Sequence, residues 1–182
     1  MLDHFRHGAK LLYTPRRTWV SINESPYSPL KLAIYTLSMS TIAIVSRSLG
    51  GWMMGVPWSA LEGMLFGLIC LGVTLTLGLL LIPAARFARR PVNDGHALKL
   101  ALMSATPVWV LSVFQIIPVG FVRSFFILVS LAHACYLIFK GLPVIFGTEP
   151  VYTLGLSLAA SAFWILSISL SIQVFLGMAF AF

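Results

Sequence analysis

Four ionisable side chains stand inside or at the ends of otherwise apolar stretches: Glu62, Arg123, His133 and Lys140. Such groups are costly at membrane depth and by default mark ion or proton paths. His133 lies mid-stretch. Lys140 follows seven residues on, near the same helical face, and Arg123 stands toward the opposite end. That row suggests a proton or anion path along one helix. The competing expectation is structural. His133 would hydrogen-bond a serine on a neighbouring helix or the carbonyl freed by Pro107, with Arg123 and Lys140 anchoring the ends. The structural reading is favoured, because a proton relay needs acidic partners. The chain has five carboxylates, and none lies deep in an apolar stretch. Glu62 is placed to pair with Arg47 across an interface.

Other chemistries find little support. His4 and His7 share a helical side, but with no third ligand a metal site is not expected. His96 stands apart from both. Cys70 and Cys135 fall within apolar segments, without metal or redox spacing. The sequence contains no nucleophile elbow, no phosphate-binding glycine loop and no HExxH. We therefore expect no catalytic residue, no cofactor and no metal, and a protein that is not an enzyme.

These residues are carried by unusually apolar elements. Hydrophobic residues make up 59% of the 182 and charged residues only 9%, against about 25% in a soluble domain. The net charge of +7 suits anionic lipid headgroups, and no aromatic-interleaved basic patch speaks for nucleic acid. Five stretches reach the roughly 20 apolar residues that a membrane helix needs: about 29–49, 60–87, 96–118, 121–140 and 150–180. Ser28-Pro29 and Thr148-Glu149-Pro150 read as helix starts. Asn93-Asp94-Gly95 similarly precedes the third span. Gly141-Leu142-Pro143 ends or kinks the fourth. The expected fold is all-α: residues 29–182 form a polytopic bundle of five transmembrane helices, and residues 1–28 a cytoplasmic amphipathic arm.

Cation placement orients the bundle. Arg6, Lys10, Arg16, Arg17 and Lys31 precede the first span; Arg86, Arg89, Arg90 and Lys99 flank the second loop; Lys140 closes the fourth span. Only Arg47 and Arg123 fall on the other side. By the positive-inside rule the N-terminus is cytoplasmic and the C-terminus periplasmic. The cytoplasmic set also reads as a surface for anionic headgroups. In the arm, Leu2, Phe5, Ala9 and Leu12 share one helical face, opposite Asp3, Arg6, His7 and Lys10. A helix lying apolar side down on the leaflet is expected.

Small residues suggest where helices approach closely. Gly63 and Gly67 form a GxxxG in the second span, and Gly155 with Ala159 a similar pair in the fifth. Pro107 should kink the third. The fifth span carries Ser157, Ser161, Ser167, Ser169 and Ser171, hydroxyls that usually bond within the helix.

Several motifs resemble a known family. Leu12-Tyr13-Thr14-Pro15-Arg16-Arg17-Thr18-Trp19 resembles the arm that opens bacterial members of the Yip (Ypt-interacting protein) domain family. The segment Ala101-Leu102-Met103-Ser104-Ala105-Thr106-Pro107-Val108-Trp109, with Pro118 following, resembles the family's kinked third helix. Tyr136-Leu137-Ile138-Phe139-Lys140-Gly141-Leu142-Pro143 resembles its end to helix four. The resemblance implies a five-helix bundle of a bacterial inner membrane with a cytoplasmic N-terminus. Eukaryotic relatives bind prenylated small GTPases through a longer N-terminal region. The short arm here does not carry that over. The expected function is a scaffold, assembly factor or accessory subunit of a membrane complex, with lipid and a membrane-protein partner or further copies of the chain as partners. The alternative is a small-solute or ion transporter.

Overall fold

Among the described residues, proline or a hydroxyl residue begins five of the eight helices, at Pro15, Pro29, Ser59, Thr106 and Pro150, and glycine follows the ends of two. The computed structural model describes residues 2–26, 28–87 and 94–180, with the side chains at 2–4, 85, 87, 94 and 168–180 excepted. Among these residues the chain is all-α. Eight α-helices follow in order: α1 Leu2–Tyr13, α2 Pro15–Glu24, α3 Pro29–Met53, α4 Ser59–Phe87, α5 Asp94–Ser104, α6 Thr106–Leu111, α7 Gly120–Phe146 and α8 Pro150–Phe180. A 3₁₀ turn, Ser112–Ile116, follows α6. Five segments are long and apolar enough to cross a membrane: α3, α4, the run Gly95–Ile116, α7 and α8. The chain is a multi-pass helical membrane protein.

Local chemistry explains the boundaries. The Ser28 hydroxyl accepts the Lys31 N–H at 3.4 Å before Pro29 opens α3. Gly55, at φ +74, makes the turn into α4 without a Cβ penalty. Gly147, at φ +60, ends α7 in the left-handed cap. That helix therefore runs six residues past the stop expected near 140, with Pro143 inside it.

The third span is the core of the bundle. Of its residues, 67% are buried, against 22–39% in the other four spans. It is surrounded by α3, α4 and α7, and α8 packs outside on α4 and α7. It is also the broken span. Pro107 has no N–H for the Met103 carbonyl, and the Thr106 hydroxyl donates to that oxygen instead, at 2.6 Å. Tyr35 Oη and Thr106 Oγ1 lie 2.7 Å apart. The Thr106 proton is already committed to Met103, so Tyr35 donates.

Where a helix lying apolar side down on the leaflet is expected, the arm turns its buried face to protein. It packs on α3, α6 and α7. Leu11, Trp19 and Ile22 are fully buried in the core. Phe5 meets the Tyr35 ring edge-on at 5.3 Å, and Gly8 lets the arm close directly over the Tyr35 hydroxyl. Leu2 lies outside the described side chains, while Ala9 is exposed. The buried face is rotated toward Gly8 and Leu11, and it is spent on protein.

Candidate functional site

The expected ionisable residues fall into three separate places. At the bundle end away from the arm, Arg47, Glu62, Gln115 and Arg123 come together. The first turn of α4 carries Glu62, where the helix dipole favours a carboxylate. Arg47 on α3 pairs with it, its Nε donating to Oε1 at 2.9 Å and its Nη2 meeting the same oxygen. Arg47 Nη1 donates to Gln115 Oε1 at 3.0 Å. The Gln115 amide in turn donates to the Arg123 carbonyl at 3.3 Å. Arg123 Nε caps the end of the 3₁₀ turn by donating to the Ile117 carbonyl at 2.8 Å. Its Nη2 is buried without a partner, packed where Gly50 leaves no Cβ.

This cluster links α3, α4, the 3₁₀ turn and α7. It cannot shuttle protons along arginines, which stay protonated. It can lock geometry: two guanidiniums and one carboxylate hold the two connections at this end, residues 54–58 and 117–119, in register. Sequence reasoning found the Arg47–Glu62 pair but missed Gln115 and Gly50. An amide near the end of the third span was the available signal.

His133 stands alone in the middle. Its Nε2 is buried with no hydrogen-bond partner among the described residues, and its ring meets Tyr136 edge-on at 6.0 Å. Among the described residues, the expected bond to a serine of the fifth span, α8, or to the carbonyl freed by Pro107 is not made. Thr106 takes that carbonyl, and Ser157 bonds back to Thr153 at 2.6 Å. Ser169 and Ser171 lie outside the described side chains.

The arm end holds the third group. Lys99, expected among headgroup-facing cations, turns inward and is 2% exposed. Its ammonium donates to the Ile22 and Ser25 carbonyls and to Ser25 Oγ, at 2.5, 2.9 and 2.8 Å. These acceptors lie at the C-terminus of α2, where a cation is favoured, and the Ile22 carbonyl also accepts from the Ser25 N–H and hydroxyl. Arg16 and Arg17 are exposed on the first turn of α2. They line an open groove of about 350 Å³ with Thr14, Pro15, Tyr136 and Lys140. Lys140 Nζ sits 5.5 Å from the Tyr136 and Phe139 ring centres. Arg6 and Lys10 are exposed on α1 and Arg86 on α4. Arg89 and Arg90 lie outside the described residues.

The packing residues divide. Gly63 and Gly67 bring α4 onto Ile44 and Ser48 of α3, and Pro107 sits at the break. Gly155 and Ala159 face outward, and nothing lies within 4 Å of where a Cβ on Gly155 would be. That pair packs no helices together inside the chain. Comparison with known protein families, with characterised proteins and with solved structures finds no match.

Proposed function

We propose that this chain is a non-enzymatic protein of a bacterial inner membrane, with the arm cytoplasmic and the C-terminus periplasmic. It serves as a scaffold, assembly factor or accessory subunit. One observation carries the reading: the inward-turned cations of the bundle are spent on joining elements. Lys99 fastens α2, Arg47 and Arg123 fasten the far loops, and Thr106 mends the break. The outside, by contrast, offers large apolar side chains, including Leu61, Leu68 and Leu79 on α4 and Leu154, Leu158 and Ile165 on α8. Such faces suit lipid, another membrane protein or a second copy.

Membership of the Yip family is part of the proposal. Two of its motifs meet in the fold, which supports it: a Cβ on Gly141 would lie 2.8 Å from Trp19 Cε2. Isolation of the full chain in a mild detergent, followed by identification of co-purifying proteins and lipids, tests the proposed role. A stable stoichiometric partner is expected. A chain that purifies alone and conducts solute in liposomes would refute it. The transporter reading draws on the break at Ala105–Thr106, since discontinuous helices build binding sites in transporters. Solute or proton flux abolished by Thr106→Val would favour it.

A further inference from the structure

The groove at the start of α2 concentrates positive charge without an answering negative one. Arg16 and Arg17 occupy the first helical turn, where the dipole favours anions and disfavours cations. Thr14 precedes that turn but provides no side-chain cap. Its hydroxyl instead lies 3.2 Å from the Lys10 carbonyl, to which it donates. Pro15 has no N–H, and the Thr14 and Thr18 amides bond the Lys10 and Thr14 carbonyls, so the free donors that this helix start offers an anion are the Arg16 and Arg17 amides. Lys140 brings a third cation from α7, and the Tyr136 hydroxyl can donate. None of Arg16, Arg17 and Lys140 has an ion-pair partner among the described residues. Three cations facing one groove repel each other until an anion enters it.

The surroundings select the kind of anion. Below the groove, Phe125, Leu128, Ala132, Tyr136 and Phe139 are exposed at spacings of three and four residues, forming one stripe along α7. With 27 residues, α7 is about 40 Å long, roughly 10 Å more than the hydrocarbon core. Lys140 stands six residues before its end, about 9 Å, and so near the level where headgroups begin. An amphiphile with an anionic head and two tails matches both parts; a free ion uses only the first.

We propose that the groove between the start of α2 and the end of α7 binds the phosphate of an anionic glycerophospholipid, whose acyl chains lie along the exposed stripe of α7. This site rests on the proposed reading of a membrane-embedded scaffold, and it places that scaffold's lipid contact at named residues. It also gives the docked arm a reason to carry arginines in the first turn of α2.

Native mass spectrometry of the full chain, released from phosphatidylcholine bilayers doped with phosphatidylglycerol, tests the proposal. Preferential retention of phosphatidylglycerol is expected. Lys140→Gln, and Arg16→Gln with Arg17→Gln, should each reduce it about tenfold, as loss of one or two charge-assisted hydrogen bonds does. Lys140→Arg should retain it, which separates lost binding from lost folding. Arg6→Gln with Lys10→Gln removes two charges from the exposed side of α1 and should leave retention unchanged. An equal loss in that variant would overturn the site in favour of diffuse surface charge. Displacement of the lipid by millimolar inorganic phosphate would overturn the commitment to lipid. Hydrogen exchange over residues 15–24 is read in parallel. Protected amides with lipid retention indifferent to Lys140 and Arg16/Arg17 would refute the site and leave the scaffold reading standing.

Discussion

Single residues at the far end of the bundle act through one another. Among the described residues Glu62 is the only carboxylate joined to Arg47, and Arg123 packs at Gly50, next to Gly51 beside Glu62. Glu62→Gln would leave two guanidiniums facing each other with a neutral amide between them. We expect a loss of about 1 kcal/mol in thermal or denaturant unfolding, since the pair is only partly buried and Arg47 keeps its bond to Gln115. Gly50→Ala should cost at least as much, because its methyl meets the Gln115 carbonyl, which is backbone and cannot swing aside. Gly155→Ala is the control. Nothing opposes its methyl, and alanine is the better helix former by about 1 kcal/mol. Equal effects at the two glycines would contradict the packing described. His133 gives the opposite expectation. Its buried Nε2 lacks a partner, so His133→Leu removes an unmet polar atom and should be neutral or stabilising by up to about 1 kcal/mol. Stability measured in detergent decides the sign. Proton flux in liposomes should be the same with and without the imidazole.

Among the elements, the arm is the one whose role the fold changes most. Its amphipathic pattern is plain from Phe5, Arg6 and Lys10, but amphipathicity cannot say whether the apolar side meets lipid or protein. The outcome depends on sites far along the chain: Tyr35, Gly141 and Lys99 receive it. Lys99→Met should release the end of α2. The Ile22 and Ser25 carbonyls and Ser25 Oγ would lose the ammonium, with Ser25 alone still donating to Ile22, at a cost of about 1–3 kcal/mol. Limited trypsinolysis at Arg16 and Arg17 reads this directly. We expect cleavage in the variant under conditions where the native arm resists. Unchanged cleavage would show that Trp19 and Ile22 alone keep the arm docked. The broken third span was likewise half legible. Pro107 announces a break, while the repair by Thr106 and Tyr35 joins positions 71 residues apart.

The whole molecule is a bundle whose proposed orientation rests on charge. Ten of twelve Lys and Arg fall on the arm side of the spans, so a single cysteine at position 92, in a chain lacking Cys70 and Cys135, should be labelled only from the cytoplasm. Labelling from the periplasm alone would invert the topology. The sequence by itself determined the solvent, the all-α class, the five spans and the expected orientation, because each depends on local composition: about 20 apolar residues per span, and cations beside its ends. Only the tertiary structure decided what the polar residues do. Lys99 and Lys140 look alike in sequence, each a lysine at the edge of an apolar run. One is buried on the carbonyls of α2, and the other opens onto a groove beside Arg16 and Arg17. The difference comes from where α2 lies against α5 and α7, a long-range packing outcome set by Trp19, Leu100 and Gly141 together. No window of neighbouring residues contains that information.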